Sequence, residues 1–220
     1  MATEPPIDRR AAIIQTATEL FAEHGYQAVG MRAVADAVGI RASSLYHHFP
    51  SKVQLLYAVC EVATTAFISV QQPVLEQPGS ARHRLEQVMR AHILYFHEHR
   101  LEENVGLREL AELRAQAPTL FEGIQDVRRG YQHAIQEVIE AGVREGEFAV
   151  EDSAMATLAL LGLVNSINFW FQDDGPASIE KVADAYVQMG VGRLLGATAA
   201  PGPGGAVRPP VRRRSRAARA

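Results

Sequence analysis

The chain has 220 residues, 47% of them apolar, which is enough for one large or two small globular units. Its 22 basic and 25 acidic residues nearly balance, but Arg208, Arg212, Arg213, Arg214, Arg216 and Arg219 all lie in the last fifteen positions; setting those six aside leaves 16 basic against 25 acidic, a body of about −9 whose mean field does not attract a polyanion. Cys60 is the sole cysteine, which excludes an internal disulfide and fits a reducing, cytoplasmic compartment, and the start "MATEPPIDRR" carries prolines and acids where a secretory leader needs an apolar run.

Asp8 is placed to cap a first helix, 9–24, in which Ile13, Ala17, Leu20 and Phe21 recur at helical spacing and Gly25 supplies a stop. A two-turn helix follows at 31–38, apolar at Met31, Val34, Ala35 and Val38, and Gly39 ends it. The third helix, 42–48, starts after only "GIR", and Pro50 stops it because proline disfavours a helical residue before it. Two short helices joined by a glycine turn form a helix-turn-helix. Ser51 caps a long fourth helix, 52–72, with Val53, Leu56, Val59, Cys60, Ala63 and Phe67 on one stripe, closed by "PVLEQPGS". Further helices are expected at 81–98, 102–115, 118–145, 152–172 and 178–195, broken at Pro118, "EGEF" and "DDGPAS".

No run alternates with period two, so the fold class is all-α, with about nine helices. Three units are expected: a helix-turn-helix domain, 1–51; a larger helical domain for ligand binding and dimerisation, 52–196; and a basic tail, 197–220, too rich in Pro, Gly, Ala and Arg to bury a core and expected to be disordered. Residues 154–171, "AMATLALLGLVNSINFWF", carry no charge over a length that mimics a membrane span. They contain Asn165, Ser166 and Asn168 and are flanked by acids without a basic anchor, so a protein-buried helix is expected and no membrane partner.

The 42–48 helix raises the functional question. Leu45 and Phe49 are four apart and can pack inward, which leaves Ser43, Ser44, Tyr46 and His47 on the outer side. Such a surface can enter a groove about 12 Å wide and reach base edges and phosphates. Arg32, Arg41 and Lys52 would surround it as phosphate ligands, and the fourth helix begins there with its free N–H groups and positive dipole end. Solvation of an ordinary surface helix explains any one of these side chains; the set together points to double-stranded DNA.

Across "FAEHGYQAVGMRAVADAVGIRASSLYHHFPSKVQLL", residues 21–56, the chain resembles the N-terminal DNA-binding domain of TetR-type transcriptional regulators: a Phe and Gly closing helix 1, a glycine turn, and Leu-Tyr-x-His-Phe-x-x-Lys. The resemblance implies that Arg32, Ala42, Ser43, Ser44, Tyr46, His47 and Lys52 face DNA, with Tyr46 and Lys52 mainly on phosphates. Two positions depart from the pattern. Gly30 stands where the family usually has a capping threonine, and Arg41 replaces a frequent capping serine, each lost cap being worth about 0.5–2 kcal/mol.

One reading helix contacts too few base pairs for specificity, so a homodimer on a palindromic operator is expected. Leu158 and Gly162 on one late helix, with Val182, Tyr186, Met189 and Arg193 on the last, are the candidate interface, with Gly162 and Gly190 permitting close helix approach. Between reader and interface, Phe67, Met89, Ile93, Phe96, Leu110, Phe121, Tyr131, Phe169 and Trp170 are either plain core or the lining of an apolar cavity, while Asn165 and Asn168 need partners that a ligand or a neighbouring helix can supply. The run "NFWFQDDGPASIEKVADAYVQMGVGRLLG" resembles the end of a TetR branch that includes actinobacterial regulators of lipid and sterol breakdown. That likeness implies a fatty-acyl or sterol-derived CoA thioester as effector, with Trp170 near it; a drug-like hydrophobe, as for efflux regulators of the family, is the alternative.

Other signals carry little. His92, His97 and His99 lack a supporting carboxylate pattern for a metal, Cys60 lies on an apolar stripe without a neighbouring base, and "GVGRLLG" lacks the strand and spacing of a phosphate loop. The expectation is a ligand-responsive regulator, by the family's habit a repressor, needing no cofactor or metal and not an enzyme. Two other classes stay open on the residues: an all-helical enzyme using Ser43, Ser44 or His47, and a nonspecific DNA binder driven by the arginine tail.

Overall fold

The computed structural model describes residues 8–196, so the tail, 197–220, lies outside the described residues. Asp8 closes the start of α1 (Arg9–His24), its carboxylate accepting from the N–H groups of Arg10 and Ala11 at 3.0 and 3.4 Å. The expected stripe of α1 is buried: Ile13, Ala17 and Phe21 meet Met31, Val34 and Ala35 of α2 (Met31–Val38) and Leu45 of α3 (Ala42–His48). Gly39 takes the left-handed conformation, φ 74° and ψ 34°, which lets the Ile40 N–H return to Ala35 O at 2.9 Å and turns the chain sharply between α2 and α3. Neither Gly30 nor Arg41 makes a side-chain cap.

Ser51 caps α4 (Lys52–Leu75), its hydroxyl oxygen accepting from the Gln54 N–H at 3.3 Å. The helix continues past the stop expected at 72 and carries Pro73 inside it. Proline there removes one N–H close to the helix end, and Glu76 still closes the last turn on Gln72 O at 3.1 Å. α4 joins two cores. Leu55, Leu56, Val59 and Cys60 pack with the reading helices, together with Val105, Leu113 and Ile124 from further along the chain, while Phe67 and Leu75 enter the second core.

The second core is built by α5 (Ala81–Glu98), α8 (Pro118–Arg144), α9 (Ser153–Asn165), α10 (Ile167–Trp170), α11 (Ile179–Val187) and a π-helical stretch, Gln188–Leu194. Three expected helices are subdivided. The 102–115 helix is α6 (Arg100–Arg108) and α7 (Leu110–Gln116), separated where Glu109 relaxes to φ −92°, ψ 0°, which turns Leu113 into the first core. The 152–172 helix breaks at Ser166, whose hydroxyl donates back to Leu163 O at 2.6 Å and competes with the helical ladder. The last helix widens beyond Val187 at Gly190, where a Cβ would stand 2.6 Å from both Leu160 Cδ1 and Met89 Cε. Gly190 therefore serves a close approach inside the protomer and not, as expected, between protomers.

By length and composition α4 and the 153–170 segment could each cross a membrane. In the fold α4 joins the two cores, and the break at Ser166 leaves α9 with 13 residues, short of the roughly 20 that a spanning helix needs.

Candidate functional site

The reading helix stands as its spacing demands. Leu45 and Phe49 are buried, Ser43 and His47 are exposed, Tyr46 is 49% exposed, and Ala42 and Ser44 are half-buried. Arg32, in the first turn of α2, and Arg41, just before α3, are both exposed. A feature the sequence pattern did not single out is Arg9, in the first turn of α1, which with Arg41, Ser43 and Ser44 lines a shallow hollow at the start of α3. Lys52 is less free than a solvated lysine. Its Nζ lies 4.2 Å from the centre of the Tyr26 ring and donates to Gln27 O at 3.2 Å, and burial lowers its pKa against the opposing pull of Glu109 and Glu112. The Tyr26 hydroxyl in turn donates to Gln116 Oε1 at 3.3 Å, so α7 grips the segment that carries Lys52.

A cavity of about 290 Å³ opens among α4, α5, α6, α8 and α9. Phe67 is its aromatic hub, in edge-on or tilted contact with His92, Phe96 and Tyr131 at centroid distances of 4.6, 5.2 and 5.3 Å. His92 is fully enclosed. Burial lowers its pKa to about 3, so the ring is neutral; its Nε2–H donates to Asn165 Oδ1 at 3.2 Å, and Nδ1 accepts from the Tyr131 hydroxyl at 3.4 Å. On the far wall Glu103 is buried, with Oε1 sealed and without a hydrogen-bond partner among the described residues. Desolvation raises its carboxyl to about 7, against the lowering effect of the nearby Arg128 guanidinium.

Of the residues expected to line such a cavity, Phe67, Phe96, Tyr131 and Asn165 do so. Met89 borders only a crevice of about 10 Å³, and Ile93 is packed in the second core with no cavity face. Leu110 and Phe121 pack against the first core instead, Leu110 because the turn at Glu109 aims α7 toward the reading helices and Phe121 from the first turn of α8. Asn168 would share a face with Asn165 on an unbroken helix. The break at Ser166 separates them, and the Asn168 amide nitrogen is buried, without a partner among the described residues and away from the cavity. The same break sends Phe169, 81% exposed, and Trp170 to the surface, where the indole N–H donates to the Tyr186 hydroxyl at 2.9 Å. His92, Glu103 and Arg128 were not among the expected lining residues; only His92, with Val88, Met89, Tyr95 and Phe96 at helical spacing, carries the signal of a polar residue on an apolar face.

Phe169 and Trp170 on α10, Met155 and Leu158 on α9 and Met189 in the π-helical stretch are exposed apolar side chains, with Gly162 and Arg193 exposed and Tyr186 half-buried. Val182, expected there, is instead buried in the protomer's own core on the inner face of α11 with Ile179 and Ala183.

Comparison with known proteins agrees over most of the chain. Residues 13–59 match the family model for "Bacterial regulatory proteins, tetR family", and residues 78–194 match that for "Tetracyclin repressor-like, C-terminal domain". The HTH-type transcriptional repressor KstR2 of Mycolicibacterium smegmatis is 26% identical over 190 residues, covering 86% of this chain and 92% of that protein. The HTH-type transcriptional activator FasR of the same organism is 26% identical over 192 residues, covering 86% and 84%. The crystal structure of AibR in complex with isovaleryl coenzyme A and operator DNA superposes with a TM-score of 0.75 at 26% identity, covering 83% of this chain and 97% of that one.

Proposed function

Because the chain belongs to the TetR family of bacterial transcriptional regulators, we propose that it is a cytoplasmic, homodimeric repressor that leaves a palindromic operator when a hydrophobic acyl compound fills the cavity beside Phe67. The observation that carries the DNA part is the polar outer surface of α3, held rigid by Leu45 and Phe49, with Tyr46 and His47 exposed rather than packed. In this reading residues 8–51 read DNA and residues 52–196 bind effector and partner. Ser43, Ser44 and His47 face base edges; Arg32, Arg41, Tyr46 and Lys52 hold phosphates, and Ala42 allows close approach. Leu158, Gly162, Tyr186, Met189 and Arg193, with Phe169 and Trp170, meet a second copy.

The acyl assignment is supported by the cavity's aromatic and aliphatic wall and by the isovaleryl coenzyme A of the AibR complex. A cationic drug-like hydrophobe fits less well, because Arg128 and Arg129 both border the cavity. The route to DNA runs through the α6–α7 pair: Glu103 borders the cavity, and Glu112 and Gln116 reach Lys52 and Tyr26. An effector that prefers one setting of that pair shifts the population of reading-competent dimers.

Footprinting on the DNA upstream of the protein's own gene tests the reading. A short symmetric footprint, lost on adding an acyl compound, is the expected result. A diffuse footprint would indicate a nonspecific binder, and none at any sequence would refute the regulator.

A further inference from the structure

The polar end of the cavity is chemically unfinished. Arg128 lines it from α8 and Glu103 from α6, yet among the described residues the guanidinium makes no hydrogen bond or ion pair. The carboxyl group is more than nine-tenths buried, with Oε1 unpartnered. Neither group completes the other, and the remaining wall at that end offers Gln125, Gln132 and Thr64. A buried group such as the Glu103 carboxyl needs a partner, and the half-buried Arg128 offers a fork shaped for two oxygens on one carbon. We propose that the cavity takes a free apolar monocarboxylic acid, its carboxylate held between the Arg128 guanidinium and the Glu103 carboxyl group. This deepens the effector reading above and rests on it.

The charge balance decides between an acid and a neutral ligand. Arg129, which also borders the cavity, is paired with Glu122 and Asp126, so with Glu103 protonated the unpaired positive charge is that of Arg128, which an anion cancels and which a thioester carbonyl or an alcohol leaves standing. The Glu103 O–H then donates to the ligand carboxylate, so the two carboxyl groups share one proton and the guanidinium faces the remaining charge. Size agrees. At about 30 Å³ for each small heavy-atom group, a cavity of about 290 Å³ holds a body of roughly ten such groups, a medium-chain acid.

Binding is then linked to a proton. Glu103 titrates at about 7, and above that pH the free protein must take up one proton for each carboxylate bound. The groups facing it titrate elsewhere: Cys60 on α4 and Tyr95 on α5 are pushed up to about 12, His92 on α5 is lowered to about 3, and Tyr131 on α8 is raised further. The other charged groups around it are Glu102 on α6, which acts with burial to raise its carboxyl, and Arg128 on α8, which acts against it, with Arg129 bordering the same cavity. Affinity should therefore fall by up to tenfold for each pH unit above about 7.

The test is calorimetric titration of the full-length protein with decanoic acid, decanol and decanoyl-CoA between about pH 6 and about pH 9. Decanoic acid should bind at least tenfold more tightly than decanol at the lower pH, taking up close to one proton at the higher pH and close to none at the lower. Glu103→Gln should bind it at both pH values without proton uptake. Arg128→Gln should lose decanoate affinity and keep that for decanol, and Arg128→Lys, which retains the charge, should recover part of it even if the glutamine variant folds poorly. Decanol or decanoyl-CoA binding as tightly as decanoate, indifference to Arg128, or no proton uptake would each overturn the proposal. Operator release is scored separately. Decanoate bound as described without release sinks the effector reading and spares the site, whereas release by another compound with no Arg128-dependent decanoate binding does the reverse.

Discussion

Phe169→Ala isolates the proposed interface from everything else the protein does. The side chain is 81% exposed, so its loss removes almost nothing from the protomer's own packing. A phenylalanine carries about 150–250 Å² of surface, so about 160 Å² of it now faces water. At about 25 cal/mol per Å², complete coverage by a partner is worth about 4 kcal/mol per copy, and two-fold symmetry counts it twice. Even half coverage gives about 4 kcal/mol for the dimer, roughly a thousandfold in Kd. Sedimentation equilibrium over a concentration series should show the variant dissociating where the parent stays dimeric, with unchanged far-ultraviolet circular dichroism and weakened operator binding at low protein concentration. A dimer constant within about threefold of the parent's would refute the placement of this face between two copies.

Three further outcomes are expected. In gel-shift titrations Tyr46→Ala and Lys52→Ala should weaken binding to every duplex, whereas Ser44→Ala should change the preferred sequence; a Lys52→Ala protein with altered base preference and intact overall affinity would reverse the division of roles. Two glycines of α8 should respond with opposite sign in urea unfolding. Gly130 has nothing within 4 Å of an added Cβ, so Gly130→Ala should gain about 0.5–1 kcal/mol, while Gly142→Ala would place that atom 2.2 Å from Phe148 Cδ2 and 2.9 Å from Ala81 Cβ and should lose about 1–3 kcal/mol. Glu103 has a folded pKa of about 7 against an ordinary 4.5, so its contribution is fully present below the ordinary value and is lost as pH rises through 7. Glu103→Gln should therefore be more stable than the parent by on the order of 3 kcal/mol at about pH 8 and nearly equal to it at about pH 4; a difference independent of pH would show that the carboxyl is not held protonated.

What was legible in the sequence was whatever short-range chemistry decides. Asp8, Gly39, Pro50 and Ser51 are punctuation marks whose effect ends within one turn, and helices α1 to α3 begin and end where those residues place them. The 102–115 and 152–172 segments read as continuous because no proline interrupts them and their glycines, Gly106 and Gly162, do not mark the breaks. Their breaks come from Glu109, where Leu113 is drawn into the first core, and from Ser166, where a hydroxyl competes for a carbonyl. The first depends on neighbours far along the chain and the second on one side-chain hydrogen bond three residues back, and periodicity sees neither.

The cavity shows the same division and one more. Phe67, Phe96, Tyr131 and Asn165 are recognisable as apolar or amide residues in need of surroundings, but Glu103 and Arg128, 25 positions apart in sequence, come to one cavity only because α6 and α8 both border it. Phe169 and Trp170 failed differently. An aromatic residue that packs inside a protomer and one that waits for a second protomer satisfy the same pattern, since both answer to removal of apolar area from water. Sequence periodicity measures that demand without saying who meets it. The turn at Ser166, three residues before Phe169, comes just ahead of the point where the ring emerges, and among the described residues nothing covers it.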